Sequence, residues 1–434
     1  MKVVVLGSGG REHAICWRLA QSALVKEVVC VPGNGGTACE KKCRNVMAST
    51  AEEMVEVAIA EKCAFVVVGP EEPLVYGIAD KLWAAGVPVI GPKRQGAQLE
   101  ASKDVAKAFM EKYNVACAKS VTVTKAEEAH EYIEKFGVPI VIKADGLAAG
   151  KGVVVAKEIK DAHDAIDSFM KDGLLGDAGK KVVIEEYLRG VEISVLAAVS
   201  VSPTSAENGK ATIVPFLPAR DHKRLNDGAQ GPNTGGMGAV SPLDDISEKT
   251  MAEFDERILK PTLKGMVTEK YDYRGFIFFG VMLTDDGPKL LEYNVRLGDP
   301  ETQAVLPLMD FDFAAMCRSI LEEDLDSFTF AWKDGYVCAP VAVSGGYPGN
   351  YEKGLEISVD DVAFSATGAK LFVAGGTLKN EKLVTSGGRV LSCAAFGKTF
   401  DEAHKASYDA MKAVSFDGMF YRKDIGLPGA AQSN

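Results

Sequence analysis

The feature that most restricts the fold is a repeated alternation of strand and helix in which glycine-rich loops follow the strands. Residues 3–6, 28–31, 65–68 and 87–90 are short apolar runs rich in β-branched side chains, and 12–20 and 52–60 between them read as helices. Parallel strands need a crossover to return, so this alternation predicts a parallel sheet with helices on its faces. Gly7-Ser8-Gly9-Gly10-Arg11, Pro32-Gly33-Asn34-Gly35-Gly36 and Gly69-Pro70-Glu71-Glu72-Pro73 sit at strand ends, where open α/β sheets bind their ligands. Residues 1–102 therefore predict an α/β domain for a phosphate-bearing ligand.

From about Ser120 the pattern changes. A strand at 121–123, a Thr124-x-x-Glu127 capping box opening a helix to Phe136, a hairpin of 140–144 with 153–156, a helix at 159–170 and a strand at 182–186 predict a compact α+β lid over 120–190. Residues 103–119 and 191–328 read as a central domain with a helix near 247–268, strands, and the most polar loops; 203–209 reads as a hairpin loop. Residues 329–434 read as a C-terminal α+β domain with strands at 337–343 and 389–394. Its last helix starts at the Thr399-x-x-Glu402 box and buries Ala403, Ala406, Ala410 and Val414. The expected class is thus a multidomain α/β and α+β protein.

Composition removes several classes of function. With 49 basic and 60 acidic residues the net charge is −11, spread along the chain, which argues against nucleic-acid or membrane partners. No apolar run approaches the ~18 residues of a membrane span, and the N-terminal one is too short for a signal peptide. Nine cysteines without a Cys-x-x-Cys, and five histidines, predict reduced thiols in a cytoplasmic protein without a His-rich metal site. The expected assembly is a monomer or weak dimer. Glycine, at 44 residues, exceeds the usual ~7% and asks for loops with a purpose.

Those loops carry the chemistry. Gly7 to Arg11 leads from a strand into a helix and offers N–H groups to an anion; Glu12 replaces the third glycine of a dinucleotide fingerprint, so a phosphate monoester held by Gly9, Gly10 and Arg11 fits better than a nicotinamide cofactor. Lys143-Ala-Asp-Gly146-Leu-Ala-Ala-Gly150-Lys151-Gly152 has the wrong spacing for a P-loop, but as a hairpin tip it can close over a triphosphate, with Lys143 and Lys151 neutralising oxygens and the backbone at Gly150 and Gly152 cradling them. In Lys289-Leu-Leu-Glu292-Tyr-Asn294-Val-Arg296, strand alternation puts Glu292, Asn294 and Arg296 on one face and Leu291, Tyr293 and Val295 on the other. A carboxylate beside an amide oxygen suits a hard octahedral cation, and Arg296 can reach a phosphoryl group. Asp221-His222-Lys223-Arg224 and Gly231-Pro-Asn233-Thr234-Gly235-Gly236 form a long polar stretch of the kind that orders around a ligand. The strand ending Glu185-Glu186-Tyr187-Leu188, followed by Glu192, can serve adenine through its backbone and ribose through a carboxylate.

Together with Gly9-Gly-Arg-Glu-His-Ala14 and Arg296-Leu-Gly-Asp-Pro-Glu-Thr302, these motifs closely resemble the glycinamide ribonucleotide synthetase family over essentially the whole chain. The resemblance implies an ATP-grasp fold and the joining of glycine to 5-phosphoribosylamine with ATP, through glycyl phosphate, in purine synthesis. It implies Lys103 and Lys143 at the ATP phosphates, and Glu185, Tyr187, Leu188 and Glu192 at adenine and ribose. Glu292 and Asn294 would hold Mg²⁺ or Mn²⁺, and Arg296 with Asp221, His222 and Lys223 would stabilise the transition state. Gly9 to Arg11 and Asp299, Pro300, Glu301 and Thr302 would flank the glycine and phosphoribosylamine sites, and the stretch with Asn233, Thr234 and Gly235 favours glycine. Many relatives in the wider superfamily carry a further acidic ligand at the position of Gly280. The competing expectations are a carboxylating or formylating ligase of the same fold and a nucleotide-binding regulator without turnover.

Overall fold

The computed structural model describes residues 1–146 and 152–431. Its backbone is one nine-stranded sheet that crosses the expected boundary between the first two domains. The strands run in the order Thr212–Pro215, Val191–Val201, Tyr273–Thr284, Val89–Pro92, Phe65–Val68, Lys2–Gly7, Glu27–Pro32 and Cys43–Asn45, with Gly287–Asn294 pairing to Tyr273–Thr284. The pairs from Val89–Pro92 to Cys43–Asn45 are parallel, as the alternation predicts.

The join between the two halves is short and antiparallel, Tyr273 facing Pro92 and Arg274 facing Gly91. Glycine makes it possible. A Cβ on Gly275 would stand 2.7 Å from the Gly91 nitrogen, so only bare backbones come this close. Tyr273, fully buried, then packs over Gly96 and donates its hydroxyl to the Phe276 carbonyl 2.8 Å away.

The lid is a four-stranded antiparallel sheet in the order Ser120–Val123, Val182–Glu186, Ile140–Ala144, Val153–Ala156, and the expected hairpin is present. Helices Ala126–Phe136 and Ile159–Ile166 cover one face through Ala129, Ile133, Ala162 and Ile166. The Thr124 capping box does not form. The chain stays extended through Lys125, no side chain caps the helix, and burial of Ala126, Ala129 and Ile133 against the sheet decides where it begins. The second helix reaches Lys171 through a π turn at Asp167–Lys171.

The C-terminal sheet runs Arg220–Asp221, Gly238–Ser241, Tyr336–Val343, Arg389–Gly397, Lys370–Val373. Its first two strands come from the stretch assigned by sequence to the central domain, so the polar loop between Asp221 and Gly238 is held at both ends by the C-terminal sheet. The Thr399–Glu402 box caps helix Phe400–Lys412 as expected. Ala403 and Ala410 are buried in it, whereas Ala406 is half-buried and Ser407 and Tyr408 face the core instead; Val414 is buried in the strand that follows. Residues 203–209 are not an open loop either: Pro203–Glu207 is a short helix capped by Ser202, whose hydroxyl accepts the Ser205 N–H. The helix near 247–268 carries a π turn at Asp255–Leu259. Among the described residues no helix is long and apolar enough to cross a membrane.

The sheet join gives a test. Gly275→Ala forces a methyl group against the Gly91 backbone, and overpacking of this kind costs about 1–3 kcal/mol. Chemical denaturation is expected to show that loss, and a variant as stable as the parent would mean that the join accommodates a side chain at this position.

Candidate active site

A cavity of about 300 Å³ opens between the lid, helix Lys103–Tyr113 and strand Gly287–Asn294. Ser102 caps that helix, accepting from the Val105 N–H, and so aims its first residue, Lys103, at the cavity, where its Nζ donates to the Gly146 carbonyl 3.4 Å away. One turn later Lys107 lines the same wall. Lys143 projects from the lid, donating to the Leu291 carbonyl at 3.2 Å. Between the two walls lies Glu185, 3% exposed, with Lys143 Nζ 2.9 Å from one oxygen and Lys107 Nζ 3.2 Å from the other.

Opposite these cations, Glu292 and Asn294 share a face of the strand, the Asn294 amide 3.5 Å from a Glu292 oxygen. Desolvation by the cavity walls would raise the Glu292 pKa, but Lys223, Lys143 and Lys103 together hold the carboxyl, which stays open to the cleft, below the usual range. It stays an anionic oxygen donor. Gly280 is its direct cross-strand partner, with no side chain to contribute. Among the described residues no group of three or more His, Cys, Asp or Glu could hold a metal ion. A divalent ion here would rest on Glu292, Asn294 and ligand oxygens, a donor set suited to a hard cation. Leu291 departs from the expected alternation: a register shift opposite Gly280 and Val281 turns it toward the cavity, and Leu290 takes the buried position.

Arg296 closes the inner end. Its guanidinium reaches Glu100 at 2.9 Å, Asn294 Oδ1 at 3.0 Å and Glu71 at 3.2 Å. Glu100 also accepts the Val295 N–H at 2.7 Å, yet burial pushes its carboxyl up to about 7 against the pull of Arg296. Beyond Arg296 the two motifs farthest apart in sequence meet. The Arg11 N–H lies 3.4 Å from Asp299, the Gly9 N–H donates to Glu12 at 2.6 Å, and a Cβ on Gly10 would strike the Gln303 amide. The expected open anion cradle at this helix start is therefore already faced by two carboxylates. Arg11 itself is oriented by Glu12 and the Leu297 carbonyl. Arg389 binds the Gly235 and Asp299 carbonyls and sits 3.4 Å from the Asp299 carboxylate.

Asp221 has one buried oxygen without a hydrogen-bond partner. Burial and the nearby Glu301 raise its pKa well above the usual range, while Lys223 and Arg389 oppose the rise. Glu301, 4% exposed, is raised by burial as well and accepts from Ser194 at 2.9 Å. Gly236 stands beside this pair, where a Cβ would come within 2.6 Å of the Asp221 oxygen and would strike Pro300.

Several expected residues lie elsewhere. His222 does not face the cavity: it is 2% exposed, its Nε2 accepts the Gly426 N–H at 3.0 Å, and its Nδ1 is 3.2 Å from the Gly238 carbonyl. Burial and the charge of Arg422 lower its pKa to about 4, so it is a neutral, structural group. Thr234 binds the Lys223 carbonyl through its backbone and its hydroxyl, and Asn233 is exposed opposite Arg224. Thr302 is fully buried behind the site. Leu188 packs under Leu291, and Glu192 pairs with Lys223. Tyr187 is half-buried and does not line the cavity, which Gly152 and Gly235 do. Gly150 and Lys151 lie outside the described residues. No motif in the sequence marks Lys107 or Glu100, and Glu71 is marked only as part of its strand-end loop. Lys107 follows Lys103 by four residues, a spacing that puts both on one helix face.

A small antiparallel lid facing a cation-lined cavity whose opposite wall carries a Glu–Asn pair is the arrangement of an ATP-grasp protein. The fold matches the biotin carboxylase from Campylobacter jejuni, solved as a β,γ-ATP complex, with a TM-score of 0.71 over 96% of this chain and 92% of that one at 13% identity. The chain belongs to the phosphoribosylglycinamide synthetase family, whose N domain matches residues 1–100, ATP-grasp (A) domain 101–302 and C domain 337–428. It is 50% identical to a phosphoribosylamine–glycine ligase of Clostridium acetobutylicum over 98% of this chain and 99% of that protein. It also superimposes on the crystal structure of the phosphoribosylamine–glycine ligase from Thermotoga maritima with a TM-score of 0.83 and 36% identity, covering 98% of this chain and all of that one.

Glu100 makes the site's electrostatics measurable. Its pKa of about 7 in the fold lies above the ordinary 4.5, so the protonated form favours folding. That contribution is complete below about pH 4.5 and is lost as pH rises through 7. Glu100→Gln stays neutral throughout. From pH 5 to pH 8 the parent is expected to lose about 2–3 kcal/mol relative to the variant, by denaturant titration. A difference that does not change with pH would contradict the buried acid.

Proposed function

We propose that this chain joins glycine to 5-phosphoribosylamine, converting ATP to ADP and phosphate and forming glycinamide ribonucleotide. The observation that carries the reading is a cation-lined cavity that adjoins, across Arg296, a buried cluster of unlike charge. One half, with Lys103, Lys107, Lys143 and Lys223 around Glu292 and Asn294, suits a triphosphate. The other, with Asp221, Glu301 and Asp299 among Arg11, Arg296 and Arg389, suits a zwitterionic amino acid and a phosphorylated amine. Family membership supports the same pair of substrates.

Carboxylate chemistry suggests the order of events. A carboxylate is a poor electrophile, so the glycine carboxylate first takes the γ-phosphoryl group of ATP, and the sugar amine then attacks the acyl carbon, loses a proton and expels phosphate. Lys103 and Lys143 orient the triphosphate, and Lys223 and Arg296 offset charge where it develops, which is most of what phosphoryl transfer needs from a protein. Glu292 and Asn294 would hold Mg²⁺ or Mn²⁺, which supplies further charge neutralisation to the phosphate oxygens. The unpartnered Asp221 oxygen accepts the glycine ammonium, with Gly236 and Pro300 packed close beside it. Arg11 and Arg389 serve the sugar phosphate, with Asp299 at the sugar hydroxyls. The Lys143 hairpin shields the acyl phosphate from water.

ADP release with each substrate omitted in turn tests the assignment. Turnover is expected to require glycine and phosphoribosylamine together. Alanine in place of glycine should be slower by roughly tenfold or more, the discrimination a single methyl group allows in a closed niche. Equal ADP release with bicarbonate in place of glycine would overturn the assignment in favour of a carboxylating ligase.

Glu292→Ala tests the oxygen-donor pair separately. Turnover with Mg²⁺ should fall on the order of 10²-fold or more, with the melting temperature preserved because the side chain borders the cleft. Activity near that of the parent would place the cation elsewhere.

A further inference from the structure

The polar loop that begins at Asp221 carries two groups of the cleft, and four of the contacts that hold it come from the far end of the chain. Backbone alternation over 221–224 turns Asp221 and Lys223 toward the cleft and His222 and Arg224 away from it. On that outer side lies the segment 421–430. Arg422, completely buried, grips Asp424 through two 2.8 Å hydrogen bonds and donates to the Arg224 carbonyl at 3.1 Å and the Ala430 carbonyl at 2.7 Å. Asp424 in turn accepts the Gly228 N–H at 2.7 Å, the Asp227 carboxylate accepts the Lys423 N–H at 2.8 Å, and the Gly426 N–H donates to His222 at 3.0 Å. Tyr408 anchors the segment from behind through the Arg422 carbonyl at 2.7 Å.

We propose that the segment 421–430 is a strap, with Arg422 as its central positioning residue, that sets the placement of Asp221 and Lys223 from outside the cleft. No residue of the strap lines the ATP cavity. A buried arginine with three separate acceptors fixes the segment rigidly, because any shift would leave a charged donor unpaired. Each link on the loop side is to a residue next to, or a few positions beyond, Asp221 and Lys223. The strap therefore acts mainly on the glycine half of the cleft, and reaches the ATP half, built from the lid and helix Lys103–Tyr113, only through Lys223. This rests on the ligase reading for its kinetic arm alone.

Arg422→Lys keeps the charge and loses the forked geometry, and Asp227→Ala removes one exposed link without touching the core. Amide hydrogen exchange reads the loop directly at His222, Thr234 and Met237, whose N–H groups bond the Gly238, Lys223 and His222 carbonyls. In Arg422→Lys these amides should exchange roughly tenfold faster. The glycine KM should rise and kcat fall by a similar factor, with a clearly smaller rise in the ATP KM, felt through Lys223 alone. Asp227→Ala should move the same quantities in the same direction by about threefold, and it decides the matter if Arg422→Lys does not fold. Unchanged loop exchange and unchanged glycine kinetics in a folded variant, or an equal loss on ATP, would overturn the strap. A parent protein without glycine-dependent turnover would overturn the ligase reading instead, and the exchange measurement would still judge the strap.

Discussion

Two lysine ammonium groups, Lys107 and Lys143, share the single buried carboxylate of Glu185, and the cleft depends on that imbalance. A site for a polyanion must keep more positive than negative charge out of water, and buried charges without partners are costly. Glu185 holds the two cations in place at the base of the lid, yet it cannot neutralise both. The remainder of the demand falls on Glu292, whose ionisation is maintained by Lys223, Lys143 and Lys103. Charge excess on one wall and an oxygen-donor pair on the other are thus a single electrostatic unit. A triphosphate with its cation would complete it.

The second half of the cleft solves the reverse problem. Asp221, Glu301 and Glu100 are carboxyls whose pKa values burial raises, and the cations around them are too few to reverse it. Such a region favours a ligand that arrives with an ammonium group. The two halves meet at Arg296, which touches Glu71 and Glu100 on one side and Asn294 on the other. The shared nine-stranded sheet keeps them in register, since Glu71 follows a strand of its parallel half and Asn294 ends a strand of its antiparallel half.

Much of this was legible in the residues themselves. The parallel strands and the lid hairpin announce themselves by periodicity, and the Glu292–Asn294 pair by its two-residue spacing. What escaped depends on contacts between distant segments. Leu291 turns into the cavity because of a bulge set by the neighbouring strand, and nothing in its local sequence marks that. His222 reads as a reactive group beside Asp221 and Lys223, but alternation sends it to the outer face, where the Gly426 N–H claims its Nε2. Lys107 and Glu100 are single charges on ordinary helices, and only burial separates them from solvated ones. The start of the lid's first helix followed burial of Ala126 and Ala129 and not the polar cap at Thr124.

The central claim is that the two halves of the cleft act in sequence on one carboxylate, phosphorylating it on the cation side and presenting it to an amine on the anionic side. Isotope transfer tests this most directly. With glycine labelled by ¹⁸O in both carboxylate oxygens, one label should appear in the released phosphate and one should remain in the amide carbonyl of the product. Phosphate free of label, with the lost carboxylate oxygen appearing in water instead, would contradict the account.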